Sequence, residues 1–237
     1  AEQHPDRKVI FLAVGFETTA PTLAAAVAAA DKRDLRNFFL LAGNKTMPKP
    51  MAALAADGDL SLDGVICPGH VSVITGAQIY QFLAQDHGLP CVVAGFEPLD
   101  VLQGIAMLVD QVVDGKALVE IQYTRVVTWE GNVVAQKLLD RVFVPSDAEW
   151  RGLGVIPGSG LALAPAYERF DAATQISVEV EPSREHAGCL CGQVLKGTHV
   201  PTDCGLFRTA CTPETPIGAC MVSSEGTCAT YYRYATP

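Results

Sequence analysis

The sequence lacks an uninterrupted apolar run of the roughly 20 residues that cross a bilayer. The nearest stretch, Val9 to Ala30, is broken by Glu17, Thr18, Thr19 and Pro21, so no membrane association is expected. It also lacks any Lys/Arg-rich stretch, and 26 acidic against 17 basic residues leave a net charge of −9. No nucleic-acid partner and no anionic membrane surface are therefore expected. No signal peptide precedes the first apolar strand, which makes the cytoplasm the expected compartment. There clustered cysteines favour metal over disulfides. The chain opens Ala1-Glu2-Gln3-His4-Pro5 without Met and enters an apolar strand within ten residues, so it reads as an excerpt of a longer protein.

What is present is a well-packed composition, 49% hydrophobic and 18% charged, which excludes a disordered chain. Short apolar runs alternate with helical patterns. Val9–Gly15, Asn37–Leu41, Gly64–Cys67 and Cys91–Ala94 read as strands. Pro21–Ala30, Pro50–Ala56 and Ala77–Asp86 read as helices, the first opened by proline. A helix after Pro98 places Leu102, Ile105, Val109 and Val112 on one apolar face. Strands apolar on both faces and separated by helices predict an α/β fold, a Rossmann-like three-layer parallel sheet flanked by helices. Glu120 to Val142 is expected to be helical, and the Gly- and Pro-rich stretch from Val144 to Pro165 an extended linker. The resulting domain expectation is 1–118 for the α/β domain, 119–180 for a connecting region and 181–237 for a small Cys-rich domain.

In a parallel sheet, functional groups collect at the carboxyl ends of the strands. Three such ends carry polar residues here: Gly15-Phe16-Glu17-Thr18-Thr19, Cys67-Pro68-Gly69-His70-Val71-Ser72 and Gly95-Phe96-Glu97-Pro98-Leu99-Asp100. The Gly-Phe-Glu triplet occurs twice, each time between a strand and a helix. Glu17, Cys67, His70, Glu97 and Asp100 are expected to share one rim. The bland reading is that Glu17 and Glu97 face helix N-termini, that Thr18 and Thr19 are N-caps, and that Cys67 and Cys91 are buried structural thiols.

The strongest chemical signal is the tail. Six of the eight cysteines, Cys189, Cys191, Cys204, Cys211, Cys220 and Cys228, fall in the last 49 residues. Thiolates suit zinc or iron–sulfur clusters. Zinc fingers use pairs of closely spaced cysteines, whereas this tail has one close pair, Cys189-x-Cys191, and otherwise wide spacings. A cluster is a large node that tolerates such spacing. Iron–sulfur, zinc and disulfides all remain open on spacing, in that order of preference. His186 and His199 are possible further ligands, more often solvated loop residues.

These segments closely resemble the HypD family of [NiFe]-hydrogenase maturation factors. The matching stretches are Ala13–Thr22 (AVGFETTAPT), Pro68–Gly76 (PGHVSVITG), Val93–Gly104 (VAGFEPLDVLQG), Trp150–Leu161 (WRGLGVIPGSGL), Cys189–Gly197 (CLCGQVLKG) and, most specific, Asp203 to Tyr232. The resemblance implies a [4Fe–4S] cluster on Cys189, Cys204, Cys211 and Cys228, whose 14, 6 and 16 intervening residues fit the family pattern at every step. Cys191 and Cys220 are left over. It implies an iron–sulfur scaffold and not a turnover enzyme, with HypC-like and HypE-like partners, assembling a transient Fe(CN)2CO iron. It also implies that the loops of Glu17, Thr18, Thr19, His70 and Glu97 line the assembly cleft, with Glu225 beside the cluster. Two family motifs, Cys-Gly-x-His and Gly-Pro-Gly-Cys-Pro-Val-Cys, do not occur in this sequence. The first supplies the cysteine that holds the iron, and the second a redox-active thiol pair.

Overall fold

The computed structural model describes residues 1–177 and 186–235. The boundary expected at 180/181 lies outside the described residues. In chain order the elements are β1 (Val9–Gly15), α1 (Ala20–Lys32), β2 (Phe38–Asn44), α2 (Pro48–Ala55), β3 (Val65–Pro68), α3 (Gly69–Thr75), a 3-10 turn (Ala77–Tyr80), α4 (Gln81–His87), β4 (Cys91–Ala94), α5 (Pro98–Val113), β5 (Val119–Ile121), α6 (Val133–Val142), β6 (Phe143–Trp150) and β7 (Gly154–Leu163). A 3-10 turn (Pro165–Phe170) and short helices follow: α7 (Ala172–Gln175), α8 (Cys191–Leu195), α9 (Ala219–Val222) and α10 (Thr227–Tyr234). The chain forms two compact units. The first holds the described residues of Ala1–Ala52, Asp63–Ala148 and Pro157–Glu179, and the second those of Ala53–Leu62, Glu149–Ile156 and Val180–Pro237.

The first unit is α/β with parallel sheets flanked by helices, but the single sheet expected from the sequence is two. β1 pairs in parallel with β2, and β3, β4 and β5 form a separate parallel sheet with β4 in the centre. The connection between the two sheets, Ala53–Leu62, belongs to the second unit. β4 is buried along its whole length, as a central strand with covered faces must be. α1 begins with proline in its first turn. It buries Leu23, Ala24, Val27 and Ala30 against Ala13, Leu40, Val142, Phe143, Leu163 and Phe170, at about 1.5–3 kcal/mol for each large side chain removed from water.

Three further expectations are corrected. Glu120 lies in strand β5, paired to β4 at Val92, and the helix starts only at Asn132, whose Oδ1 caps the N–H of Ala135 at 3.0 Å. The expected linker from Val144 to Pro165 is the paired strands β6 and β7, joined by a tight turn closed by Leu153 N to Trp150 O at 2.9 Å. Finally, Leu102, Ile105, Val109 and Val112 of α5 are exposed, and the helix buries Asp100, Gly104 and Gln111 instead. Gly104 explains this: a Cβ there would stand 3.1 Å from that of Ala94, so the helix approaches the sheet on its smallest face. The polar neighbours then find partners, Gln111 bonding Glu120 at 2.7 Å and the N–H of Leu118 at 2.8 Å.

The turn after α3 is fixed by two glycines whose backbones touch. Gly76 (φ +80°) and Gly131 (φ +70°) both lie in the left-handed region, and a Cβ on either would overlap backbone atoms of the other's segment. The two segments are stitched by Ala77 N to Thr128 O at 3.2 Å and Asn132 N to Ile74 O at 3.0 Å. Gly88 (φ +63°) has the same backbone sign but open space around it. Gly131→Ala should therefore cost about 2 kcal/mol or more and Gly88→Ala only about 1 kcal/mol, read from denaturant midpoints. Equal costs would show that the two backbones are not in contact.

Candidate functional site

The rim expected as one is split between the two sheets. At the ends of β3, β4 and β5, the exposed His70 stacks on Phe96 with ring centroids 4.5 Å apart and lies 6.3 Å from Tyr123. Arg125 lies over the Tyr123 ring at 4.7 Å. It grips Asp100 with two bonds of 2.9 and 2.7 Å and reaches Glu97 at 3.8 Å. Gln122 adds a bond to Asp100 at 2.9 Å and accepts the Gly95 N–H at 3.2 Å. Arg125 and then Gln122 hold the Asp100 carboxyl down to about 2, so it is an anion throughout the physiological range. Gly69 and Gly95 permit this: a Cβ on either would strike the Tyr123 ring.

At the ends of β1 and β2, Glu17 is buried. Its Oε1 accepts the Met47 N–H at 2.8 Å, and burial raises its pKa against that bond and its own backbone N–H. Asn44 is also buried and donates to Thr19 Oγ1 at 3.4 Å. Glu17 Oε2 and Asn44 Oδ1 are the two buried side-chain polar atoms without a hydrogen-bond partner among the described residues. The capping expectation holds in position for Thr19 and Glu97 and not in side-chain bonding. Thr19 occupies the N-cap of α1 but its hydroxyl donates back to Phe16 O at 3.2 Å, and Glu97 at the N-cap of α5 makes no side-chain cap bond. Thr18 is exposed.

Cys67 and Cys91 do not reach the rim. Both are fully buried free thiols that donate to Val65 O at 4.0 Å and Leu89 O at 3.4 Å, with burial first and Cys91 second pushing the Cys67 thiol up. Beside them Ser72 Oγ donates to Pro68 O at 2.8 Å and lies 3.3 Å from the hydroxyl of the buried Tyr80.

In the second unit the six tail cysteines converge. All six line one tight pocket, and Cys191, Cys211, Cys220 and Cys228 are buried there with Phe207, Met221 and Ala229. Cys220 Sγ lies 2.9 Å from Cys228 Sγ, and this bond lowers the Cys228 thiol while burial opposes it. Two backbone N–H groups point at sulfur: Ile217 to Cys211 at 3.3 Å and Cys220 to Cys191 at 3.3 Å. A Cβ on Gly218 would stand 2.5 Å from Cys189 Sγ, so this glycine clears the cavity wall. Among the described residues no three His, Cys, Asp or Glu side chains close on a point as a single ion requires. His186 Nδ1 accepts the Gly188 N–H at 3.1 Å and His199 pairs with Thr198 at 3.1 Å, both exposed. Glu225 is exposed in the turn ahead of α10, with its N–H on Ser223 Oγ at 3.2 Å.

A family model, "HypD: Hydrogenase formation hypA family", matches residues 1–235. The chain belongs to the HypD family. Hydrogenase maturation factor HypD of Escherichia coli is 45% identical over 235 residues, covering 99% of this chain and 63% of that protein. Its counterpart in Cupriavidus necator is 43% identical over 241 residues, covering 99% and 64%, and that of Rhizobium leguminosarum 45% over 241 residues, covering 99% and 63%. The chain thus spans just under two thirds of the length of these HypD relatives.

Sequence reasoning missed the groups that hold these sites in place: Asn44, Tyr123, Gln122 and Arg125 in the first unit, and Arg208 in the second. Arg208 sits at φ +60°, in the loop between Cys204 and Cys211. Its guanidinium donates to Tyr232 O at 3.2 Å and Ala235 O at 3.0 Å, the carbonyls at the end of α10, and lies 5.5 Å from the rings of Phe207 and Tyr232. It ties the loop carrying two thiols to the helix carrying Cys228. Arg208→Ala keeps the left-handed backbone and loses the clamp, whereas Arg208→Gly loses the clamp but relieves the backbone. Both should unfold more easily than wild type, with Gly more stable than Ala by about 1 kcal/mol. Faster hydrogen exchange in α10 for both variants would locate the loss, and unchanged exchange would refute the clamp.

Proposed function

We propose that this chain holds a [4Fe–4S] cluster on Cys189, Cys204, Cys211 and Cys228 and acts as the iron–sulfur scaffold portion of a [NiFe]-hydrogenase maturation factor. The observation that carries this reading is that four thiols with the 14, 6 and 16 spacing line one cavity. The donor set fits the group. Thiolates are the ligands such clusters take, all four line one pocket, and Gly218 leaves the wall open next to Cys189. When bound, the cluster supplies electrons at a potential set by its surroundings. The Ile217 N–H on Cys211 is one such setting, since a hydrogen bond to a ligating sulfur stabilises its negative charge.

The proposed partners are a HypC-like chaperone and a HypE-like protein that delivers cyanide, with an Fe(CN)2CO iron as their shared cargo. In this reading His70 handles protons or polar contacts at the rim, where Phe96 and Tyr123 hold it and the Arg125–Asp100 pair fixes Tyr123. Glu17, Thr18, Thr19 and Glu97 contribute the neighbouring loops, and Glu225 an acid near the thiols. No helix among the described residues is long and apolar enough to cross a membrane, and we place the work in the cytoplasm. Because the motifs for the iron-holding cysteine and the redox thiol pair do not occur in this sequence, we propose that this chain keeps the cluster but does not complete assembly of the iron unit.

Protein purified without oxygen should carry about four irons and four acid-labile sulfides. Replacing any of Cys189, Cys204, Cys211 or Cys228 by Ala should remove the brown colour and loosen the second unit. About one zinc with no sulfide would replace this reading with a zinc-stabilised α/β module that binds a small ligand. In a strain without its own maturation factor, this chain alone should fail to restore hydrogenase activity. Recovery would show that the two missing motifs are dispensable.

A further inference from the structure

The Cys-x-Cys pair of the second unit faces two spaces at once. Cys189 and Cys191 line the tight pocket of the six thiols, and they also line an outer cavity of about 200 Å³. Cys204, Cys211, Cys220 and Cys228 line the inner pocket and not the outer cavity. Gly218 is common to both. A Cβ there would stand 2.5 Å from Cys189 Sγ and 4.0 Å from Cys191 Sγ, so the two thiols flank the same bare stretch of backbone. The wall shared by the two spaces is therefore two thiols and a glycine. Cys189 is half-buried and Cys191 buried, an outer and an inner thiol two residues apart. The N–H of Cys220 lies 3.3 Å from Cys191 Sγ and holds it on this wall. The outer cavity also carries charge of one sign. Among its lining residues Arg151 and Lys196 are cations and none is Asp or Glu, in a chain of net charge −9. Lys196 pairs with Asp57 at 2.6 Å. Arg151 gives one nitrogen to Ile217 O at 2.9 Å, out of a guanidinium with five N–H groups.

We propose that Cys191 is a temporary ligand at a loading port. The outer cavity receives an iron–sulfur cluster carried as an anionic thiolate complex, Cys189 and Cys191 take it from the carrier, and Cys191 then yields its place to an inner thiol. This rests on the cluster reading given above, and it gives a role to the thiol that the 14, 6 and 16 spacing leaves over. Each exchange balances. The bond from the entering Sγ to iron forms as the bond from the carrier's sulfur breaks. The entering thiol's proton leaves on the departing carrier, and no oxidation state changes. In the last exchange an inner thiol replaces Cys191, whose sulfur takes the proton back. Two thiols on one short segment make the second exchange intramolecular, which raises the effective concentration of the second ligand. The Cys220 N–H stabilises negative charge on the Cys191 sulfur while it holds iron. The cations of the outer wall favour an anionic carrier complex over a neutral one.

The whole chain, stripped of metal and kept without oxygen, tests this when it is mixed with a synthetic [4Fe–4S] cluster ligated by 2-mercaptoethanol. That carrier complex is achiral, so circular dichroism in the visible range reports the cluster held by protein. Wild type should gain the signal with about four irons per chain. Cys191→Ser should reach the same spectrum and iron content about tenfold more slowly. Cys220→Ser removes the other left-over thiol, which lines the inner pocket alone, and should slow the signal less. Cys191→Ala gives the same comparison if the serine variant does not fold. Raising the salt should slow wild-type loading, because attraction between exposed charges is screened. A wild type that gains no signal would overturn the cluster reading and the port with it. A wild type that loads, with Cys191→Ser loading equally fast, would overturn the port alone. So would equal slowing in Cys220→Ser, or a rate indifferent to salt. Cys191→Ser ending without a cluster would also overturn it, since Cys191 would then be a permanent ligand.

Discussion

The interior of the second unit is built largely from sulfur, and the rest of that unit is arranged to keep the sulfur in place. Among the described residues, Cys191, Cys211, Cys220 and Cys228 share their buried core with Phe207, Met221 and Ala229, and Leu195, Leu206, Ile217 and Tyr232 pack against it. A neutral thiol packs as a small hydrophobe. Six thiolates around one cavity would repel one another without a cation among them. The unit therefore needs its thiols protonated or bound to something positive, and its folding is coupled to whichever of these holds. The local devices follow from that need. Gly218 makes room beside Cys189, two backbone N–H groups aim at sulfur, and Arg208 accepts a left-handed backbone to lash α10 to the Cys204–Cys211 loop.

Elements whose signal is local were legible. β1 and β4 begin and end where the apolar runs do, because β-branched and aliphatic runs between turn residues have one economical local structure. α5 was legible as a helix but not in orientation. Counting apolar residues says which face is greasy, and it does not say whether a sheet is there to cover it. Gly104 decides the contact, and a glycine has no periodic signature. β5 was hidden because three residues carry no period at all, and its pairing to β4 is a long-range fact. The β6–β7 pair was masked by Gly and Pro, which weaken strand propensity without forbidding strands at an edge.

The thiols of the candidate site were legible because cysteine is scarce and spacing survives folding. Their convergence on one cavity is what the sequence could only suggest. Arg125 and Asn44 were not legible. Each is an ordinary polar residue in a turn or at a strand end, and each matters through a distant segment, Arg125 through the buried Asp100 and Asn44 through Thr19. The number of sheets was equally invisible, since strand pairing is a long-range fact that no local pattern carries.

The two Gly-Phe-Glu loops show how little separates an ion pair from a buried acid. Each follows a strand and opens a helix, and the position five residues after the glycine is buried in both, as Ala20 in one and Asp100 in the other. In the second loop that position brings its own carboxylate, and Arg125 and Gln122 satisfy both of its oxygens. Glu97 is then left outside, exposed, at 3.8 Å from the same guanidinium. In the first loop the corresponding Ala20 supplies only a methyl group. The inner polar place falls to Glu17, which accepts the Met47 N–H and whose pKa is raised by burial. A carboxyl with a bidentate arginine is stable as an anion, and burial of a carboxyl raises its pKa. The same triplet thus yields two environments, an ion pair in one loop and a buried carboxyl with a raised pKa in the other, and they differ in the residue three places after the glutamate.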